Sequence, residues 1–340
     1  MAKQVKLADI AAKLNVSMVT VSKALSDQKG VSEEKRAEIK KIAYEMGYVS
    51  PSASKLRDEK KSFNIGVLVA RRYFDQTQSF YWLMYQELAT RALAKGCFTI
   101  LEVVEEEDER KNNTPQILNN PNVNGIMIIG LTKKDYLKNL SQKSDLPITY
   151  LDFYDMDCPN AAVLTDNYFG MYQLTNYMCE LGHKKIAYVG TLFSTNSITD
   201  RYFGYRKALL EKGIEVPGDY VLEDRSADTG KRAGGKYVFP KDMPTAFVCN
   251  CDVTALELIN ELKSKGYRVP EDISVAGFDN YVFPNVDNIK LTTYEVDVRE
   301  MVRKAVKILY RKMSGEYVNK NIVVVEGKMV VGDTTEEHKG

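Results

Sequence analysis

The hydrophobic pattern changes period once, near Phe63, and that single change confines the chain to two unlike parts. Before it, apolar residues recur at helical spacing and strand signals are nearly absent. Leu7, Ile10, Ala11 and Leu14 fall at i, i+3, i+4 and i+7, which places one apolar stripe on a first short helix. Asn15-Val16 breaks it. Ser17 stands where an N-cap is needed for a second helix, Met18 to Leu25, with Val21, Ala24 and Leu25 facing inward. Ser32 caps a third helix, whose first turn carries Glu33 and Glu34 and whose buried face is Ile39, Ile42, Ala43 and Met46. Gly47 ends it. The expectation is an all-α head over residues 1–48, then a polar linker over 49–62 in which Ser50 and Pro51 suit the N-cap and first position of one more short helix.

From Phe63 onward, β-rich runs alternate with helical stretches. NIGVLVA (64–70) precedes a helix from Phe80 to Lys95, and CFTILEV, GIMIIG and PITYLDF follow, each with helix-like sequence behind it. This βαβα order predicts a parallel sheet with helices on both faces. The alternation restarts at AAVLTD (161–166), runs through a helix from Tyr168 to Leu181, and continues with IAYVG, TAFVCN and ISVAGF. The body (63–340) is therefore expected to be α/β and two-lobed, with two parallel, doubly wound sheets. One lobe takes about 63–161 and 293–324, the other about 162–292 and 325–340, so the chain crosses near residues 162, 292 and 325.

The overall charge of +1 hides an asymmetry. Residues 1–62 hold 13 Lys/Arg against 8 Asp/Glu, whereas the remainder holds 34 against 38. A basic head on a slightly acidic body implies that the head meets a polyanion. Five scattered cysteines and 2 histidines support neither a disulfide framework nor a metal site, and no cofactor is implied. The opening MAKQVKLADI has no apolar leader and no run approaches a membrane span, so the expected location is cytoplasmic, with no membrane partner. No GxGxxG, Walker or GxSxG motif occurs, and His183 in its GHKK turn reads as a helix C-terminal charge. Nothing points to an enzyme.

A helix, a tight turn and a second short helix with one polar side describe a DNA-reading helix-turn-helix. Ser17, Thr20 and Ser22 are small enough to let the second helix approach phosphates. Met18 and Val19 can touch base edges or thymine methyls, and Lys23 can reach a guanine or a phosphate. Lys6 and Ser32, at the starts of the flanking helices, complete the DNA-binding set on this side of the linker. The alternative is a three-helix protein-interaction module.

Here the chain resembles the lactose/galactose repressor (LacI/GalR) family of bacterial regulators. The resemblance rests on LADIAAKLNVSMVTVSKAL, on Gly47-Tyr48, ELGHKKIAYVG, SITDRYFGYRKAL and MPTAFVCNCDVTALEL, and on VPEDISVAGFDN, all in this order. It implies a periplasmic-binding-protein-like body for effector binding and dimerisation, a homodimer on a two-fold symmetric operator, and carbohydrate-utilisation genes as targets. It implies a linker leucine wedged into the minor groove, for which Leu56 is the candidate. Arg57 beside it is the alternative, because Ser50-Pro51 replaces the family's usual Pro-Asn and shifts the spacing. Lys23 replaces the family's arginine and loses its fork.

By the same resemblance, Arg201 and Asp279 would grip the polar groups of a sugar-like effector between the lobes, with Asp152, Ser197 and Asp252 as further contacts. Phe80, Tyr81 and Trp82 either wall the ligand or belong to the core. Arg201 and Asp279 either hold ligand or pair with each other, and Asp252 either touches ligand or caps the helix from Val253 to Leu262. Cys251 stands where the family often has asparagine, and Arg225 where some relatives have an aromatic wall. Arg71, Arg201 and Arg225 together suggest an anionic effector such as a sugar phosphate or sugar acid. A solute-binding protein of a transport system would share the body but not the basic head.

Overall fold

The computed structural model describes residues 6–26, 28, 30–46, 48, 63–74, 79–281 and 289–339. The chain divides into two compact units, 1–62 and 63–340.

In the first unit, α1 (Leu7–Leu14), α2 (Met18–Leu25) and α3 (Glu33–Glu45) enclose one small core of Ile10, Ala11, Val21, Ala24, Ile39 and Ala43. α1 stops at Asn15, which takes the left-handed conformation (φ 51°) that asparagine tolerates and so turns the chain sharply. Ser17 then starts α2, its Oγ accepting from the N–H of Thr20 at 3.1 Å.

In the second unit, the alternating strand and helix pattern produces β1 (Asn64–Ala70), α4 (Phe80–Ala94), β2 (Phe98–Val104), α5 (Glu106–Lys111), β3 (Val123–Ile129), α6 (Lys134–Lys143), β4 (Ile148–Leu151) and β5 (Ala161–Thr165). α7 (Asn167–Glu180), β6 (Ile186–Val189), α8 (Asn196–Glu211), β7 (Val221–Leu222), β8 (Ala246–Cys249), α9 (Asp252–Ser264) and β9 (Ser274–Ala276) follow. The chain ends with β10 (Thr293–Glu295), α10 (Val298–Met313), β11 (Ile322–Val325) and β12 (Lys328–Val330).

Two parallel sheets result. The first has the order β11-β5-β4-β3-β1-β2 and the second β7-β6-β8-β9, while β10 and β12 form a separate antiparallel pair. Along β1, Ile65, Val67 and Val69 enter one core and Leu68 enters another, so both faces are buried and both need helical cover. α4 and α10 supply one cover through Met84, Leu88, Val302 and Leu309, and α6 supplies the other through Tyr136, Leu137 and Leu140. In the second lobe β8 divides its side chains in the same way, Val248 facing the α7–α8 side and Phe247 the α9 side.

One boundary differs from expectation. Ala161–Thr165 was placed by its pattern at the start of the second lobe, but β5 pairs with β4 and with β11 inside the first sheet. The chain crosses only at Asp166, whose carboxylate accepts from the N–H of Phe169 and caps α7. A doubly buried strand reads the same in either sheet, so its pairing partner is invisible to periodicity.

α7 and α8 cross at Gly204, where an added Cβ would stand 2.1 Å from the carbonyl oxygen of Tyr168. Backbone atoms on both sides leave no side chain to yield. Gly204→Ala should therefore cost about 3 kcal/mol by overpacking. Urea unfolding should show a clearly lowered midpoint, and an unchanged midpoint would reject this tight crossing.

Candidate functional site

In the head, burial divides α2 into two faces. Val21 and Ala24 are fully buried, whereas Met18 and Val19 are 57% and 63% exposed although both are apolar. Ser17, Ser22 and Lys23 are exposed beside them and Thr20 is half-buried. A short helix offering small hydroxyls, two apolar tips and one cation has the surface that a major groove accepts. Ser32 caps α3 through a long contact, 3.4 Å from the N–H of Lys35, and Lys6 is exposed at the start of α1 with its N–H donating to Asp9 at 2.7 Å. Leu56 and Arg57 lie outside the described residues.

Arg36, on α3, was not anticipated. The residue is 9% exposed, and its guanidinium donates to the carbonyls of Gln28 at 2.9 Å and of Lys23, Ala24 and Val31 at 3.4 Å. It thereby ties off the last carbonyls of α2, groups that a helix end leaves unsatisfied. Sequence offers only a weak signal here, since an arginine early in a charged helix reads as surface.

In the body, the carboxyl ends of both sheets face a cleft of about 810 Å³, the place where parallel sheets present ligand sites. Arg71 follows β1, Asp152 follows β4, Cys251 follows β8 and Asp279 follows β9, while Phe80, Tyr81 and Ser197 come from the first turns of α4 and α8. With Arg201 and Arg225, all of these anticipated residues line the cleft.

At its centre lies Arg201, 4% exposed. Its Nε donates to Asn167 at 2.8 Å, its Nη1 to the Asn250 carbonyl, and its Nη2 stands 3.2 Å from Asp279 Oδ1. The Phe278 ring lies against its flat face, 3.8 Å from centroid to guanidinium carbon. Across from it, Tyr81 donates its hydroxyl to Asp152 Oδ2 at 3.0 Å. Among the described residues, Asp152 Oδ1 and Asp279 Oδ1 are buried acceptors without a hydrogen-bond donor, the Arg201 contact being close but misdirected. Burial pushes the Asp152 carboxyl up to about 6 and the Asp279 carboxyl up to about 8, outweighing the pull of Arg201 in each case.

Each arginine of the wall has a carboxylate partner. Arg71 holds Glu105 through Nε at 3.0 Å, Arg72 is bonded to the buried Glu109, Arg225 lies 2.7 Å from Asp224, and Arg232 lies 2.9 Å from Glu257. Asp224 is fully buried. It also receives the Thr191 N–H, the Asn250 amide and the Thr254 hydroxyl, and although burial alone would raise its pKa, Arg225 holds it well below the ordinary carboxylate range.

Three expectations are corrected. Asp252 neither lines the cleft nor caps α9: Cys251 occupies the N-cap position, and Asp252 turns inward to accept from Thr293 at 2.6 Å and from the Tyr281 N–H at 2.8 Å. Those donors come from segments distant in sequence, which local pattern cannot show. Burial pushes its carboxyl up to about 7. Trp82 does not face the cleft but packs edge-on against Phe74, 5.4 Å between centroids. His183 is no surface charge. It is 3% exposed, 2.9 Å from Thr245 and 3.0 Å from Ser274, and burial lowers its pKa.

Asn167, Asn250, Arg72 and Arg232 were missed. The first three sit just past strand ends, the one usable signal, while Arg232 stands in a loop whose path is set by tertiary packing. No helix among the described residues is long and apolar enough to cross a membrane, and no group of three or more His, Cys, Asp or Glu among them is placed to hold a metal.

A helix-turn-helix unit joined to a two-lobed α/β body with a polar cleft defines a DNA-binding regulator with an effector domain. Comparison with known proteins agrees. Residues 6–51 match the bacterial regulatory proteins of the lacI family, and residues 175–335 match the periplasmic binding protein-like domain. The chain thus carries a lacI-family helix-turn-helix domain together with a periplasmic binding protein-like domain. It is 26% identical over 331 residues, 97% of this chain and 98% of the relative, to the HTH-type transcriptional repressor PurR of Vibrio vulnificus (strain CMCP6). Against the HTH-type transcriptional repressor CytR of Escherichia coli (strain K12) it is 25% identical over 329 residues, 96% of this chain and 95% of the relative. The fold is shared with the transcriptional regulator CelR–cellobiose complex (TM-score 0.68, 23% identity, 97% of this chain and 100% of that chain). It is shared also with the lac repressor dimer bound to operator and the anti-inducer ONPF (TM-score 0.66, 24% identity, 98% and 100%). PurR and CytR are named as repressors, in agreement with the reading that the chain is not an enzyme.

Two predictions follow from this geometry. Arg36→Ala should loosen the end of α2, speeding amide exchange there and weakening DNA binding at least tenfold in the full chain; unchanged exchange would reject the positioning role. Asp279→Asn tests burial of the carboxyl. A carboxyl near 8 when folded and near 4 when unfolded binds its proton more tightly in the native state, so stability falls as pH rises from about 4 to about 8 and is flat above. The variant should lose less stability over that window in urea unfolding, and equal losses would contradict the assignment.

Proposed function

We propose that the chain is a repressor of carbohydrate-utilisation genes, acting in the cytoplasm as a homodimer on a two-fold symmetric operator and controlled by a small sugar-like effector in the body cleft. The observation that carries this reading is the group around Arg201. A guanidinium fixed by Asn167 and Asn250 stands among two buried carboxyl groups, each with one oxygen that has no hydrogen-bond partner among the described residues. A diol can accept from the first and donate to the others. Tyr81 and Phe80 place aromatic rings along the same wall.

The names of the relatives support the repressor part, and the complex of CelR with cellobiose supports a carbohydrate as the effector. A two-fold operator suits a short recognition helix, because a single one makes too few base contacts to select a site. The transport-protein alternative shares the body, but the match of residues 6–51 to the lacI family weighs against it.

A thermal-shift panel of monosaccharides, disaccharides and their derivatives tests the assignment, because a ligand at about 100 times its Kd adds about 2.7 kcal/mol to the native state. Arg201→Lys keeps the charge and loses the planar fork, so effector affinity should fall at least tenfold, on the order of 1.4 kcal/mol. Operator affinity without effector should be unchanged. An effector that binds the variant equally well would remove Arg201 from the site, and a panel without any hit would overturn the carbohydrate assignment.

A further inference from the structure

We infer that the outer edge of β11 is a self-pairing surface, on which the same strand of a second copy docks antiparallel and carries assembly beyond the homodimer. The inference is independent of what the cleft binds, and it takes the homodimer of the proposed function as its starting unit.

The first ground is an open strand edge. β11 ends the first sheet and pairs only with β5. The carbonyls of Asn321 and Val325 accept from the N–H groups of Ala162 and Asp166 at 3.1 and 3.0 Å. Backbone groups alternate along a strand, so those of Ile322 and Val324 point outward, away from β5. The side chains alternate too: Val323 and Val325 pack into the core, whereas Ile322 and Val324 are 45% and 50% exposed on the other face. Four β-branched residues in a row, without proline, bulge or charge, leave nothing to discourage a further strand. β2, at the opposite edge of the same sheet, carries Glu102 near its middle.

The second ground is charge, which selects both the partner and the register. Lys320 and Glu326 flank the strand, both exposed. Antiparallel pairing about a two-fold axis at Val323 sets Ile322 opposite Val324 and Lys320 opposite Glu326, and repeats both pairs across the axis. By the same alternation all four residues turn their backbone groups outward, so each pair exchanges two backbone hydrogen bonds. Moving the axis to Val324 would instead bring Lys320 against Lys328, a like-charge contact. A strand with one sign of charge at both ends would be repelled at one of them, whereas a second copy suits both. In the joined sheet the two β1 strands run in opposite directions, roughly 40 Å apart. Each β1 starts at Asn64, just after the linker, so the two linkers would enter from opposite ends. Copies joined in that way are poorly placed to share one operator, and the edge contact therefore adds to the homodimer contact rather than forming it.

A strand this short buries little area, so the association should be weak and should grow with concentration. Sedimentation equilibrium of the full chain, from a few micromolar to a few hundred micromolar at low salt, reads it. The expected weight-average mass is that of a dimer at the dilute end and at least half again as high at the concentrated end, with less growth when salt is raised. Val324→Lys, at an exposed position, should hold the mass at the dimer value throughout. Lys320→Glu and Glu326→Lys each place like charges opposite one another and should each suppress the growth. The double variant restores opposite charges and should regain it, a rescue that a change in folding alone would not produce. A parent chain of constant mass, undiminished growth in Val324→Lys, or a double variant without rescue overturns the inference. So does a monomeric Val324→Lys, because the edge would then form the homodimer itself. A parent chain that is monomeric at the dilute end rejects the homodimer reading alone, and growth that Val324→Lys abolishes still supports the pairing.

Discussion

A guanidinium taken out of water must find a partner for its charge and for its N–H groups, and in this chain Arg201 meets that demand by joining segments that are remote in sequence. It comes from the second turn of α8. It bonds to Asn167 at the start of α7 and to the backbone just after β8, lies flat on Phe278 at the end of β9, and faces Asp279 beyond it. The start of α7, the body of α8 and the segments that follow β8 and β9 are thereby held in register around one charge. The cleft exists in its present shape because those junctions converge, and Asp152 and Tyr81 approach the same charge from the first lobe.

The rest of the wall obeys the same electrostatic rule. The arginines at the carboxyl ends of the strands are paired, and the Arg225–Asp224 pair is backed by neutral hydrogen-bonding groups such as Thr191, Asn250 and Thr254. Polar groups so fully engaged are costly to rearrange, which holds this part of the wall in one arrangement. The head follows a different economy of contacts. Its core is small, its recognition helix is only two turns long, and Arg36 secures the end of that helix by hydrogen bonds to carbonyls. Binding energy there must come from the DNA, through phosphate contacts that the basic composition favours.

Much of this organisation was legible in the sequence. The helical spacing of Leu7, Ile10, Ala11 and Leu14 and the cap at Ser17 correspond to α1 and α2 closely, since both signals are local. The strands of the body were visible as apolar runs, but which sheet each joins was not. β5 shows the limit, because Ala161–Thr165 is buried on both faces and carries no periodic mark of its neighbours. In the cleft, Asp152, Cys251 and Asp279, which stand just past strand ends, were reached through the family resemblance. Asp252 was misplaced by one step, and the turn of its carboxylate toward Thr293 depends on a segment some forty residues away. The arginines were found, but their charges were misjudged, since Glu105, Glu109, Asp224 and Glu257 become their partners only when the chain is folded.

Coupling between cleft and head is the central claim, and linkage provides its most direct test. Fluorescence anisotropy would give the affinity of the full chain for an operator selected from random duplexes, with and without saturating effector, and calorimetry would give effector affinity with and without that operator. Reciprocal coupling predicts that effector changes DNA affinity by some factor and that DNA changes effector affinity by the same factor. Operator affinity that is identical in the presence and absence of bound effector would contradict it.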